Sequence, residues 1–221
     1  MKKNISHKEE KKFTLNSIAY LIFFCFAVLF LLTLSLRPYP FAYLIKSIPV
    51  LSLSLIAFFN IKGIRGMLIG IGLLFSGAGD IILELDRSGY FTYGLGAFLI
   101  AQIFYISAFI REPELKRTRS LISLFMIVYG SIIGYFLIPN LGDMTVPVIV
   151  YLCVIVVMGI SASIGGSIHY LVVVGACFFI LSDSIIAINR FLAPVSYSSF
   201  WIMITYYPAQ FFIAFGSSKQ Q

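Results

Sequence analysis

The feature that most restricts this chain is a succession of apolar runs, each close to the length that crosses a bilayer. A spanning helix needs about 20 apolar residues. Eight stretches qualify, near 17–36, 40–59, 66–85, 91–110, 121–138, 145–163, 168–187 and 196–215. Short joints that are polar or carry Pro or Gly separate them, among them "RPYP", "NIKGIRG", "REPELKRTRS" and "NRFLAP". The joint "SASIGGS" is uncharged, so the sixth and seventh runs divide weakly and a count of seven also fits. Of the 221 residues, 60% are hydrophobic and only 11% charged, with a mean hydropathy of +0.98. A soluble domain is about 25% charged, so lipid must cover much of this surface. The pattern predicts an all-α, polytopic membrane bundle of about eight helices. Residues 17–215 form the membrane domain, between a basic tail (1–16) and a short C-terminal tail (216–221).

The net charge of +7 does not point to nucleic acid. Lys2, Lys3, Lys8, Lys11 and Lys12 precede the first run, and a second basic cluster spans Arg111 to Arg119. Basic joints remain on the cytoplasmic side, which predicts cytoplasmic termini and a multi-pass protein of the cell membrane. The first run is too long for a cleaved signal peptide, which favours a retained span. Cys25, Cys153 and Cys177 sit in apolar runs and read as packing residues, with no disulfide framework. His7 and His169 cannot assemble a metal cluster, so neither a metal nor another cofactor is expected. Gly66 with Gly70, Gly72 with Ser76, and Gly130 with Gly134 offer close helix contacts. No clear internal repeat is visible.

Two carboxylates break the apolar pattern: Asp80 in "LLFSGAGDIILEL" and Asp183 in "FFILSDSIIAINRF". Inserting an Asp at the centre of a span costs about 2.5–3.5 kcal/mol even on lenient scales, so such residues mark function. Counted along their spans at 1.5 Å per residue, both fall at a similar depth in the outer half of the bilayer. Lys46 approaches that depth from the second span. Gln102, Tyr105, Tyr206, Tyr207 and Gln210 lie somewhat deeper. Glu84 and Asp86 read as solvated residues near a span end, and Asn189 and Arg190 as either headgroup-facing or functional. Tyr39, Tyr43, Tyr90, Tyr93, Tyr197 and Trp201 suit an interfacial aromatic belt. Two carboxyls in different protonation states suit acid–base chemistry. A buried polar tie between helices is the plainer alternative for each aspartate.

Six segments, in order, resemble the YhhN family of multispan proteins, which includes the animal TMEM86 lysoplasmalogenases. They are "YLIKSIPVL" with Lys46 and Pro49, "FSGAGDIIL" with Ser76, Gly79 and Asp80, and "GLGAFLIAQIFYISAF" with Gly94, Phe98 and Tyr105. "PVIVYLCVIVVM" follows with Pro147 and Tyr151, then "GACFFILSDSIIAINRF" with Ser182, Asp183, Ser184, Asn189 and Phe191. "WIMITYYPAQFFIAFG" closes the series with Tyr206, Tyr207, Ala209 and Gln210. Gln102 stands where the family commonly has His. The resemblance implies hydrolysis of the vinyl-ether bond of lysoplasmalogen, drawn from the bilayer, to a fatty aldehyde and glycerophosphoethanolamine or glycerophosphocholine. Asp80 and Asp183 are the expected catalytic pair, supported by Lys46, Ser76, Tyr151, Asn189, Tyr206, Tyr207 and Gln210. The competing reading from the same carboxylates is a small ion-coupled transporter or exchanger. A membrane scaffold is a third.

Overall fold

A computed structural model of the chain describes residues 2–86, 88–110, 117–166 and 168–219, with side chains from Asn16 onward except at Arg117. Among the described residues, eight α-helices occur at the eight expected places. They are α1 (Lys2–Leu32), α2 (Ala42–Asn60), α3 (Gly63–Leu85), α4 (Phe91–Phe109), α5 (Arg117–Leu137), α6 (Thr145–Ile164), α7 (Tyr170–Phe191) and α8 (Ser198–Ser218). The uncharged joint does divide the sixth from the seventh. α6 ends at Gly165, and His169 caps α7 by accepting from the Leu171 N–H at 3.3 Å. α1 begins earlier than its apolar run, because the lysine-rich tail is free of Pro and Gly and made largely of good helix formers. Arg111 to Lys116, within the expected basic joint, lie outside the described residues.

Among the described residues, six helices, α2 to α7, are long and apolar enough to cross a membrane, and the chain is a multi-pass membrane protein. The apolar part of α1, Asn16–Leu32, is shorter. In α8 the residues Thr205, Tyr206, Tyr207 and Gln210 dilute the hydropathy, and all four turn into the bundle.

Helices α2, α3, α4, α6, α7 and α8 close a ring, with α8 returning to α2. α1 packs outside α2, and α5 packs outside α6. α5 therefore turns Leu121, Leu124, Phe125, Val128, Tyr135 and Phe136 outward, a surface suited to lipid. The second four helices repeat the packing order of the first four, although the sequence shows no clear repeat. Asp80 and Asp183 occupy the corresponding helices α3 and α7. The three cysteines lie exposed on the outward surface rather than in the packing positions expected of them. Tyr90, Tyr93, Tyr197 and Trp201 are exposed at helix ends, as an interfacial belt requires.

Glycines fix the spacing around α3. A Cβ on Gly72 would stand 2.5 Å from the Tyr105 ring, and one on Gly79 would stand 2.6 Å from the Phe98 ring. Only glycine lets these two α4 aromatics come this close to α3. Gly70 meets Phe58 on α2 in the same way, and Gly130 and Gly134 meet Val156 and Leu152 on α6.

Candidate active site

Asp80 lies about one and a half turns before the end of α3, and Asp183 about two turns before the end of α7. Asp80 is 1% exposed. Its Oδ1 stands 3.5 Å from Lys46 Nζ, and its Oδ2 accepts from the Tyr206 hydroxyl at 2.7 Å. Asp80 thus meets both a cation and a hydroxyl donor. Tyr206 is held by edge contacts with Phe98 and Phe179, at 5.9 and 5.7 Å between ring centroids. The hydroxyl of Tyr207 donates to the Lys46 carbonyl at 3.0 Å. Pro49 cannot donate to the preceding turn of α2, and this external bond secures that stretch of backbone just where Lys46 begins.

Asp183 has a different partner. The Tyr151 hydroxyl on α6 donates to its Oδ2. The residues around it are apolar: Asp183 and Tyr151 line a small pocket of about 50 Å³ with Leu95, Phe98 and Val148 among its walls. Each aspartate thus rests on a tyrosine from another helix.

Of the other expected residues, Ser76 and Gln210 join Tyr105 in a buried set. The Tyr105 hydroxyl donates to Gln210 Oε1 at 2.8 Å and lies 3.4 Å from Ser76 Oγ. Asn189 Oδ1 accepts from the Val195 N–H at 2.9 Å, which ties the end of α7 to the following loop. Gln102 is fully buried beside Tyr151, and neither carboxamide atom reaches hydrogen-bonding geometry with a described residue.

Glu84 corrects the sequence reading. It is not a solvated end residue: its side chain is 6% exposed and bonded to Arg37 Nη1 at 3.1 and 3.2 Å. Its Oε2 also lies 3.6 Å from Lys46 Nζ. The four-residue step from Asp80 puts both carboxylates on one face of α3, where a single lysine bridges them. Arg37, from the joint before α2, completes the set. Asp86, by contrast, is exposed as expected. The Gly89 N–H, with the Ser88 side chain and N–H, hold its carboxyl below the ordinary range, and these bonds shape the turn after α3.

A cavity of about 310 Å³ opens beside Lys46. Lys46, Asn189, Arg190, Ser198 and Ser199 form its polar part. Leu83, Phe91 and Ile186 belong both to it and to the Asp183 pocket, so the two spaces adjoin. Met203 lines both this cavity and an apolar groove of about 320 Å³ between α1 and α8. Among the described residues, no three His, Cys, Asp or Glu side chains gather as a metal-ligand set.

The YhhN family profile matches residues 41–217, which include both aspartates and Lys46. The chain belongs to the YhhN family. Two relatives of this YhhN chain are named lysoplasmalogenase TMEM86A, from Bos taurus and Homo sapiens. Each is 36% identical, over 160 and 167 residues, covering 68% of this chain. Lysoplasmalogenase TMEM86B from Homo sapiens is 32% identical over 183 residues, covering 81% of this chain and 76% of the relative. The chain spans 65% of the length of each TMEM86A relative. No solved structure matches it.

Proposed function

We propose that this YhhN protein is an integral membrane lysoplasmalogenase. In this reading it hydrolyses the vinyl-ether bond of lysoplasmalogen, releasing a fatty aldehyde and glycerophosphoethanolamine or glycerophosphocholine. The observation that carries the proposal is a pair of differently partnered carboxyls, Asp80 paired with the Lys46 that lines the amphipathic cavity and Asp183 in the apolar pocket adjoining it. Asp80 faces the Lys46 cation, which favours its carboxylate form. Asp183 faces a phenol hydroxyl in an apolar pocket, where a lone charge is disfavoured. The names of the mammalian relatives support the same activity.

Asp183 then serves as the acid, delivering its proton to the alkene carbon remote from the ether oxygen. The oxygen lone pair stabilises the resulting oxocarbenium ion, and the Asp80 carboxylate faces that positive charge. Water attacks the carbon bonded to oxygen as Asp80 takes its proton. The hemiacetal collapses as Asp80 protonates the departing glycerol oxygen and Asp183 recovers the hydroxyl proton. Both aspartates return to their starting states. Tyr206 and Tyr151 hold the two carboxyls in register, and Lys46 keeps Asp80 ionised until water attacks. The lysolipid enters from the bilayer through the apolar groove between α1 and α8. With the basic joints and both termini cytoplasmic, the site lies in the outer half of the cell membrane.

Purified protein supplied with a vinyl-ether lysolipid in D2O tests this reading. The expected product is an aldehyde with one deuterium on the carbon next to the carbonyl. Absence of aldehyde from the folded protein would overturn it.

A further inference from the structure

The cavity beside Lys46 has a second cation at its rim, and its surroundings differ from those of Lys46. Lys46 Nζ stands between Asp80 and Glu84, and Glu84 also holds Arg37, so that buried set carries two positive and two negative groups. Its charge is balanced within the protein. Arg190, at the end of α7, lines the same cavity, and one of its contacts is through its face. Its guanidinium carbon lies 4.0 Å over the centre of the Phe91 ring. Nη2 reaches the Ser88 carbonyl at 3.4 Å, in the turn that Asp86 shapes. Stacking fixes a guanidinium while its N–H groups remain in the plane of the fork, the geometry that matches phosphate. Asn189, Ser198 and Ser199 add an amide and two hydroxyls to the same polar wall.

We infer that this cavity holds the phosphodiester of the lysolipid, with Arg190 as its anion contact and specificity residue. The inference rests on the proposed lysoplasmalogenase reading and adds the position of the headgroup. The cavity is amphipathic and adjoins the apolar Asp183 pocket through Leu83, Phe91 and Ile186. A molecule with a phosphodiester at one end and an alkenyl ether next to it suits that pair of spaces better than free phosphate does. The headgroup at Arg190 leaves the vinyl ether near the two aspartates and the chain directed into apolar surroundings.

The test compares two substrates with the same alkenyl chain: a phosphoethanolamine lysolipid and a 1-alkenylglycerol lacking phosphate. Wild type should prefer the phospholipid. Arg190→Gln should lower kcat/KM for the phospholipid by roughly 10- to 100-fold, through KM, the scale of lost hydrogen bonds to a charged group. It should leave alkenylglycerol turnover unchanged, and Arg190→Lys should restore part of the loss. Equal losses on both substrates would make Arg190 merely structural and overturn the inference, as would an undiminished phospholipid preference. Competition by inorganic phosphate without any preference between the two lipids would assign the cavity to a free anion and overturn it too. Cleavage of neither lipid by folded wild type would contradict the proposed activity itself.

Discussion

Lys46 on α2 and Asp80 on α3 form a buried ion pair, with Nζ 3.5 Å from Oδ1 and side chains only 8% and 2% exposed. Removing one partner strands the other charge in a low-dielectric interior, at a cost of about 3–5 kcal/mol. Lys46→Met should therefore lower the unfolding temperature in detergent as well as aldehyde production. The double change Lys46→Met with Asp80→Asn should recover part of the stability and none of the activity. Unaltered unfolding of the single variant would contradict the pair.

Each aspartate accepts a hydrogen bond from a tyrosine on another helix. Tyr206→Phe keeps the ring contacts with Phe98 and Phe179 and deletes only the hydroxyl. A lost bond to a charged group is worth about 1.5–3 kcal/mol, so the unfolding temperature should fall, and turnover should fall roughly 10- to 100-fold as Asp80 loses the bond that holds it. Tyr151→Phe should also reduce turnover, since its hydroxyl orients the proposed acid. A rate within twofold of wild type for both variants would remove the tyrosines from the machinery.

The contact between α3 and α4 depends on an absent side chain. Gly79→Leu would drive a Cβ toward the Phe98 ring at 2.6 Å. Overpacking of this kind costs about 1–3 kcal/mol, and Phe98 transmits it to Tyr206. The variant should unfold earlier and turn over more slowly. Gly96→Ala, where a Cβ meets nothing within 4 Å, should leave both measurements unchanged.

Much of this arrangement was readable because lipid penalises charge. Asp80 and Asp183 stood out against their apolar neighbours, and counting along the runs gave them a shared depth before any contact was known. The polytopic helical bundle followed from run length for the same reason. Glu84 was misread because distance from a span end says how near the surface a residue lies, not what faces it. Its partner Arg37 sits in a joint 47 positions away in sequence. The four-residue step to Asp80 was the available signal. The repeated packing order was hidden because apolar residues interchange freely in lipid-facing and buried positions. Little more than an aspartate in α3 and α7, and "AQIF" in α4 beside "AQFF" in α8, retains it in letters. Exposure of the cysteines was equally illegible, since an apolar run does not reveal which face meets lipid.

The central claim is that two intramembrane aspartates carry the reaction. The most direct measurement is aldehyde release from a vinyl-ether lysolipid by wild type, Asp80→Asn and Asp183→Asn, each shown to be folded by its unfolding transition in detergent. Acid–base groups contribute about 10²–10⁴-fold, and losses of that order are predicted for each variant separately. Aldehyde release at the wild-type rate by either folded variant would contradict the account.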